Sequence, residues 1–189
     1  MSDSAITVKE ITFDAIANSE IIFMLCIKAG MINTRIFRIL KKINPKTCQR
    51  SEIVIVLLCN GISFAEIDEA ALNESLVEVV IEKIPTKYSE LPEKYKANAK
   101  IAQIAFTFDG SLISFAPQKI KKNLELATIA VKSKPSSLGW VDSSIQKSLE
   151  SITKTLSDKN HYNVIEHSAK YPVHKLIEDY YKKIGCSHA

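Results

Sequence analysis

The sequence predicts an all-α protein, a right-handed, α-solenoid-like array of short helical hairpins with a repeat near 25 residues and capping helices at both ends. Three observations predict it. Apolar residues recur at helical spacing behind a shared start motif, helix-stopping residues fall at one place in each segment, and the starts settle to a constant interval. Composition is compatible with such an array and excludes several other classes. With 189 residues, 46% hydrophobic, five Gly and four Cys, the chain is neither disordered, collagenous nor a disulfide scaffold. A formal net charge of +4 is too small to identify a nucleic-acid partner by itself.

The whole chain, 1–189, is expected to form one helical-repeat domain. Residues 1–17 supply an N-terminal cap, with Ile6, Val8, Ile11, Phe13 and Ile16 able to cover the edge of the first unit. Residues 18–72 contain irregular short repeats that open at Asn18, Asn33 and Arg50. Residues 73–147 contain regular 25-residue repeats, opening at Asn73, Asn98 and Asn123. Residues 148–189 hold a degenerate repeat from Ser148 and a C-terminal capping helix with an apolar stripe of Val173, Leu176, Ile177, Tyr180 and Ile184. The seven starts are separated by 15, 17, 23, 25, 25 and 25 residues.

Asn suits the first position because its side-chain oxygen accepts a hydrogen bond from a free N–H of the first helical turn. Behind it, apolar residues recur at the fourth, seventh and eighth columns, as in Ile21, Met24 and Leu25 or Ile101, Ile104 and Ala105, which makes one helical face. Glu20, Glu52, Glu125 and Glu150 lie two residues after a start, where a carboxylate complements the positive end of the helix dipole. The thirteenth column holds Gly30, Pro45, Pro85, Gly110, Pro135 and Asn160, with Gly61 one residue early, all turn formers or helix stoppers. The second half of each long unit reads as a shorter helix, with faces Tyr88, Leu91 and Tyr95; Leu112, Phe115 and Lys119; and Leu138, Val141 and Ile145.

This Asn-x-x-[Ile/Leu]-x-x-x-Ala helix start, followed by a turn and a short aromatic-bearing segment, resembles tandem repeats of a bacterial domain of unknown function found in large effector-like proteins of intracellular bacteria. The resemblance is best over residues 73–147 and looser over 18–72. It implies a helical array and an effector-like protein, and implies no catalytic activity.

Chemistry-bearing residues do not assemble into a familiar site. The four His, at 161, 167, 174 and 188, lack ligand spacing, and Cys26, Cys48, Cys59 and Cys186 form no CxxC pair, so neither metal nor cofactor is expected. Cys186 stands four from the end, but Ser187 and His188 are not the aliphatic residues of a prenylation box. Glu66, Asp68 and Glu69 form an acidic cluster without a Gly-centred calcium loop, so a solvated face is expected. The N-terminus has no basic region leading into an apolar stretch, and no apolar run approaches the ~20 residues of a membrane span. The protein is therefore expected in the cytoplasm, or translocated into a host cell if it acts as an effector.

The expected function is non-enzymatic: a protein-protein interaction module, adaptor or modulator, whose partner is another protein. Its expected contact residues are Lys87, Tyr88, Ser111, Trp140 and Asp142, at turn and second-helix positions of the regular units. The alternative is RNA or other nucleic-acid binding along basic stripes at Arg35, Arg38, Lys41, Lys42 and Lys46, and at Lys94, Lys96, Lys100, Lys119, Lys121 and Lys122.

Overall fold

The computed structural model describes residues 12–157, and every regular element among them is helical. Ile6, Val8 and Ile11 of the N-terminal cap, the stripe from Val173 to Ile184, all four His and Cys186 lie outside the described residues. No helix among the described residues is long and apolar enough to cross a membrane. The described residues form two compact units: one comprises residues 12–62 and Glu66–Ala71, and the other Ser63–Ala65 and residues 72–157.

The first unit contains α1 (Phe13–Asn18), α2 (Glu20–Lys28), α3 (Thr34–Ile43), α4 (Pro45–Cys48) and α5 (Ser51–Cys59). α1 packs on α2, α3 and α4, while α5 packs on α2 and α4. The Ile53–Leu58 run is apolar all round, and all six residues are buried, as such a helix requires. α2 and α5 both end on a glycine in the left-handed region, Gly30 at φ 70° and Gly61 at φ 98°. Each is held by paired backbone bonds, Met31 N–H to Cys26 O with Gly30 N–H to Ile27 O, and Ile62 N–H to Leu57 O with Gly61 N–H to Leu58 O.

One start is corrected. Asn18 does not cap α2; it ends α1, where its side-chain amide donates to Asp14 O at 2.8 Å, and Ser19 is the cap, accepting from Ile22 N. The buried face is displaced by two residues from the expected one. Ile21 and Leu25, assigned to the apolar face by periodicity, are exposed, whereas Phe23, Cys26 and Ile27 are buried. Counted from the true cap, the buried places are the fifth, eighth and ninth, which are also buried after Asn73, Asn98 and Asn123, where the fourth is buried as well.

In the second unit, α6 (Glu74–Lys83) is followed by a 3₁₀ segment, Pro85–Glu90, and by α7 (Glu93–Lys96). Then come α8 (Ala99–Phe108), the 3₁₀ segment Gly110–Phe115 and α9 (Gln118–Lys121), and finally α10 (Leu124–Ser133), the 3₁₀ segment Pro135–Trp140 and α11 (Ser143–Ser157). Asn73, Asn98 and Asn123 cap α6, α8 and α10, accepting from the N–H of Leu76, Ile101 and Leu126. Ser148 starts nothing; it lies inside α11, whose first turn is instead served by Asp142, accepting from Ser144 N at 3.0 Å. Glu150 accordingly sits inside that helix too, whereas Glu20, Glu52 and Glu125 occupy first turns.

The expected shorter second helix is in fact two pieces. Pro92 and Pro117 force the preceding residues out of helical geometry, so that Leu91 (ψ 145°) and Ala116 (ψ 150°) are extended and each 3₁₀ segment stops there. The face assigned to Leu112 and Phe115 divides as a result: Leu112 is buried, while Phe115 points to solvent.

Successive long helices pack side by side, α6 on α8, α8 on α10, and α10 on α11, and successive 3₁₀ segments pack on one another. The α8 and α10 core residues are partly small, with Ala102, Ala105, Ala127 and Ala130 all fully buried, which lets backbones come close. The tightest such approach is at Gly110, where a Cβ would stand 1.9 Å from Ala130 O and 2.8 Å from Ser137 Oγ. Ser137 is itself completely buried, and its hydroxyl has no hydrogen-bond partner among the described residues.

Gly110→Ala therefore forces the 3₁₀ segment away from α10. Overpacking of this kind costs about 1–3 kcal/mol, and thermal denaturation should show a clear loss against the control Gly139→Ala, which meets nothing within 4 Å. Ser137→Ala removes a buried hydroxyl that donates to nothing and should leave the melting temperature equal or higher. A Gly110→Ala variant as stable as the control would contradict the packing described.

Candidate functional site

The last residue of each six-residue 3₁₀ segment faces outward: Glu90, Phe115 and Trp140, spaced 25 apart in sequence, are all exposed. The places three residues earlier are buried, Lys87, Leu112 and Ser137, and so are the following ones, Leu91, Ala116 and Val141. Residues three apart in a 3₁₀ turn share a face, so the outward turn of the last residue marks the end of the segment, where the backbone becomes extended at Leu91, Ala116 and Val141. Two large aromatic side chains thus stand in water on neighbouring, mutually packed segments, Phe115 at 52% and Trp140 at 56% exposure.

Between them run the lysines of α9. Lys121 Nζ donates to Ser114 O at 2.9 Å, beside Phe115, while its carbonyl accepts from Asp142 N at 3.2 Å, two residues beyond Trp140. Lys119 and Lys122 are exposed on the same short helix and its cap. Among the described residues none of these three lysines forms an ion pair. Other lysines of the unit do: Lys87 with Glu90 at 3.4 Å, Lys100 with Glu78 at 2.7 Å and Lys134 with Asp109 at 3.5 Å. α7 carries Glu93 beside its lysines, whereas α9 has no acidic residue.

The five residues expected to contact a partner fare differently. Tyr88 is a core residue, 0% exposed; its ring meets Phe106 edge-on at 5.4 Å and its hydroxyl donates to Lys96 O at 2.8 Å. Burial pushes its phenol well above the ordinary tyrosine range, with Glu93 adding to the effect. Lys87 is 7% exposed and turned toward Glu90. Neither residue offers a surface. Ser111 is half-buried, giving both its N–H and its hydroxyl to Asp109 Oδ1, with Lys134 Nζ 3.2 Å from its oxygen. Burial alone would raise the Asp109 carboxyl, but the Ser111 bonds and the Lys134 charge together hold it below the usual aspartate range. Asp142 is half-buried and serves α11; the hydroxyl and N–H of Ser144, with the Lys122 charge, hold its carboxyl low. Trp140 alone of the five is openly exposed. Phe115 was missing from the set, although it shares a column with Trp140, and the charged Glu90 at that column marks it as outward-facing.

In the first unit, the basic stripe and the acidic cluster meet each other. Arg38 makes a two-pronged ion pair with Glu66, and Lys41 Nζ reaches Asp68 at 2.5 Å and Glu66 O at 3.1 Å, with Gln49 donating to Asp68 at 3.2 Å. The hydrogen bond from Arg38 holds Glu66 below its ordinary range, and those from Lys41 and Gln49 do the same for Asp68. Beneath them, Cys48 is buried, and desolvation pushes its thiol up to about 11, which disfavours the thiolate. Among the described residues no group of His, Cys, Asp or Glu could hold a metal ion.

Because folding lowers the carboxyl pKa values of Glu66 and Asp68, their stabilisation is fully present above the unfolded-state values and is lost as pH falls through the folded ones. Denaturant midpoints should be level down to about pH 5 and fall below it, with a shallower fall in Glu66→Gln/Asp68→Asn; identical slopes would refute the pairing. Comparison of the chain with protein-family models, with curated proteins and with solved structures finds no match.

Proposed function

We propose that the chain is a non-enzymatic protein-interaction module, an adaptor or modulator, in which 25-residue helical units stack as a solenoid-like array and present a partner surface on their 3₁₀ edge. Support for the array comes from the spacing of helix starts at 74, 99 and 124 and from the packing of like elements on like. The observation that carries the functional reading is the exposure of Phe115 and Trp140 at the same place in neighbouring units. Large aromatics left half in water cost solvation, whereas in an interface they are the residue types that supply most binding energy. In line with the resemblance to effector-like repeat proteins, the reading places the protein in the cytoplasm, or in a host cell if it is translocated.

Nucleic-acid binding is the second reading, favoured by unpaired Lys119, Lys121 and Lys122 beside two exposed aromatic rings, since bases stack on such rings. It is weakened by the neutralisation of Arg38, Lys41, Lys100 and Lys134 with carboxylates, which breaks both basic stripes. The test compares the wild type with Phe115→Ser/Trp140→Ser as baits under nuclease treatment, read by quantitative mass spectrometry. A set of proteins held by the wild type should fall at least about tenfold with the variant, with both baits equally stable. Identical recovery by the two baits, or recovery that disappears with nuclease, would overturn the proposal.

A further inference from the structure

We infer that the Phe115–Trp140 edge takes an extended, acidic peptide segment carrying two apolar side chains; this rests on the protein-binding reading above and names the chemistry of the partner. The first argument is charge. Three lysines stand against one carboxylate near the two rings: Lys121 is hydrogen-bonded between the two corners, and Lys119 and Lys122 are exposed beside it without ion pairs, the Lys122 charge acting on Asp142. Lys87, Lys100 and Lys134 of the same unit have carboxylate partners, whereas at this edge three lysines without ion pairs stand with two exposed rings. An acidic partner supplies the missing carboxylates, while a basic one would meet three lysines at close range.

The second argument is shape. The two rings sit on adjacent, packed 3₁₀ segments, and neighbouring helical elements lie about 8–10 Å apart. That is the reach of about three residues of extended chain. A helix reaches that distance only with anchors about seven residues apart, so a segment whose anchors are three apart is extended. The row is bounded at its other side by Glu90, which is engaged by Lys87 and by the N–H of Phe64 at 3.2 Å and repels a carboxylate. The segment therefore spans the last two corners and not the first. The chain's own residues 158–189 are a poor occupant, because they carry Lys at 159, 170, 175, 182 and 183 against Asp158, Glu166, Glu178 and Asp179.

The sequence has a single Trp, so the fluorescence of Trp140 in the full-length protein reports binding at this edge directly. Three probes are titrated: a degenerate peptide pool with two Phe, Leu or Ile anchors three residues apart in an Asp/Glu/Ser background, the same pool with Lys/Arg in place of Asp/Glu, and oligouridine. The acidic pool should change Trp140 emission and bind at least about tenfold tighter than the basic pool. Phe115→Ser should weaken it about tenfold, and Lys119→Glu/Lys122→Glu should invert the preference between pools, both variants having exposed, unpaired sites and keeping the wild-type circular dichroism. Equal or tighter binding of the basic pool, or acidic binding indifferent to Phe115→Ser, overturns the inference while leaving the module reading to the recovery experiment. Oligouridine binding that is lost in Phe115→Ser, with neither peptide pool bound, overturns both. Absence of a response to all three probes overturns the inference alone.

Discussion

The second unit depends on one close approach, that of Gly110 to the backbone of α10. With no side chain at position 110, the 3₁₀ segment that follows α8 can lie against the Ala130 carbonyl, in a space that a single methyl group would occupy at 1.9 Å. Small residues on α8 and α10 extend the same economy of volume, and Ser137, buried against Gly110, continues it into the next 3₁₀ segment. Because the outward column of each segment is set by the seating of its inward ones, this contact also decides that Phe115 and Trp140 end up beside each other in water.

Local signals were legible in the sequence, and non-local ones were not. Asn33, Asn73, Asn98 and Asn123 cap helices where the motif places them, since an N-cap needs only its own next three residues. Pro85, Gly110 and Pro135 open a new element, as helix stoppers should. Asn18 misled because Ser19, an equally good cap, stands next to it, and the buried face of α2 lies two residues from the expected one. The second half of each unit misled for another reason: Tyr88, Leu91 and Tyr95 are all buried, yet Pro92 interrupts the helix that would have linked them. Arg38 and Glu66 lie 28 residues apart, so no periodicity could join the basic stripe to the acidic cluster.

The candidate surface was half legible. Trp140 could be chosen as an exposed anchor from its place in the repeat, and the column containing Glu90 held the information that Phe115 matches it. Choosing Tyr88 instead confused residue type with residue column: tyrosine suits interfaces, but here its ring fills the space against Phe106 and its hydroxyl closes the end of α7. The reading of function follows from the same geometry. The proposed partner surface rests on an exposed aromatic pair set among lysines that form no ion pair among the described residues.

The most direct measurement of this account is ionic quenching of Trp140 fluorescence in the unliganded protein at low salt. An exposed ring near Lys121 and Lys122 should emit close to the wavelength of the unfolded chain and be quenched more strongly by iodide than by caesium, because the lysines concentrate the anion. In denaturant that preference should shrink toward the value for an isolated tryptophan. A blue-shifted emission protected from both ions, or equal quenching by the two, would contradict the placement of Trp140 on an open, positively charged edge.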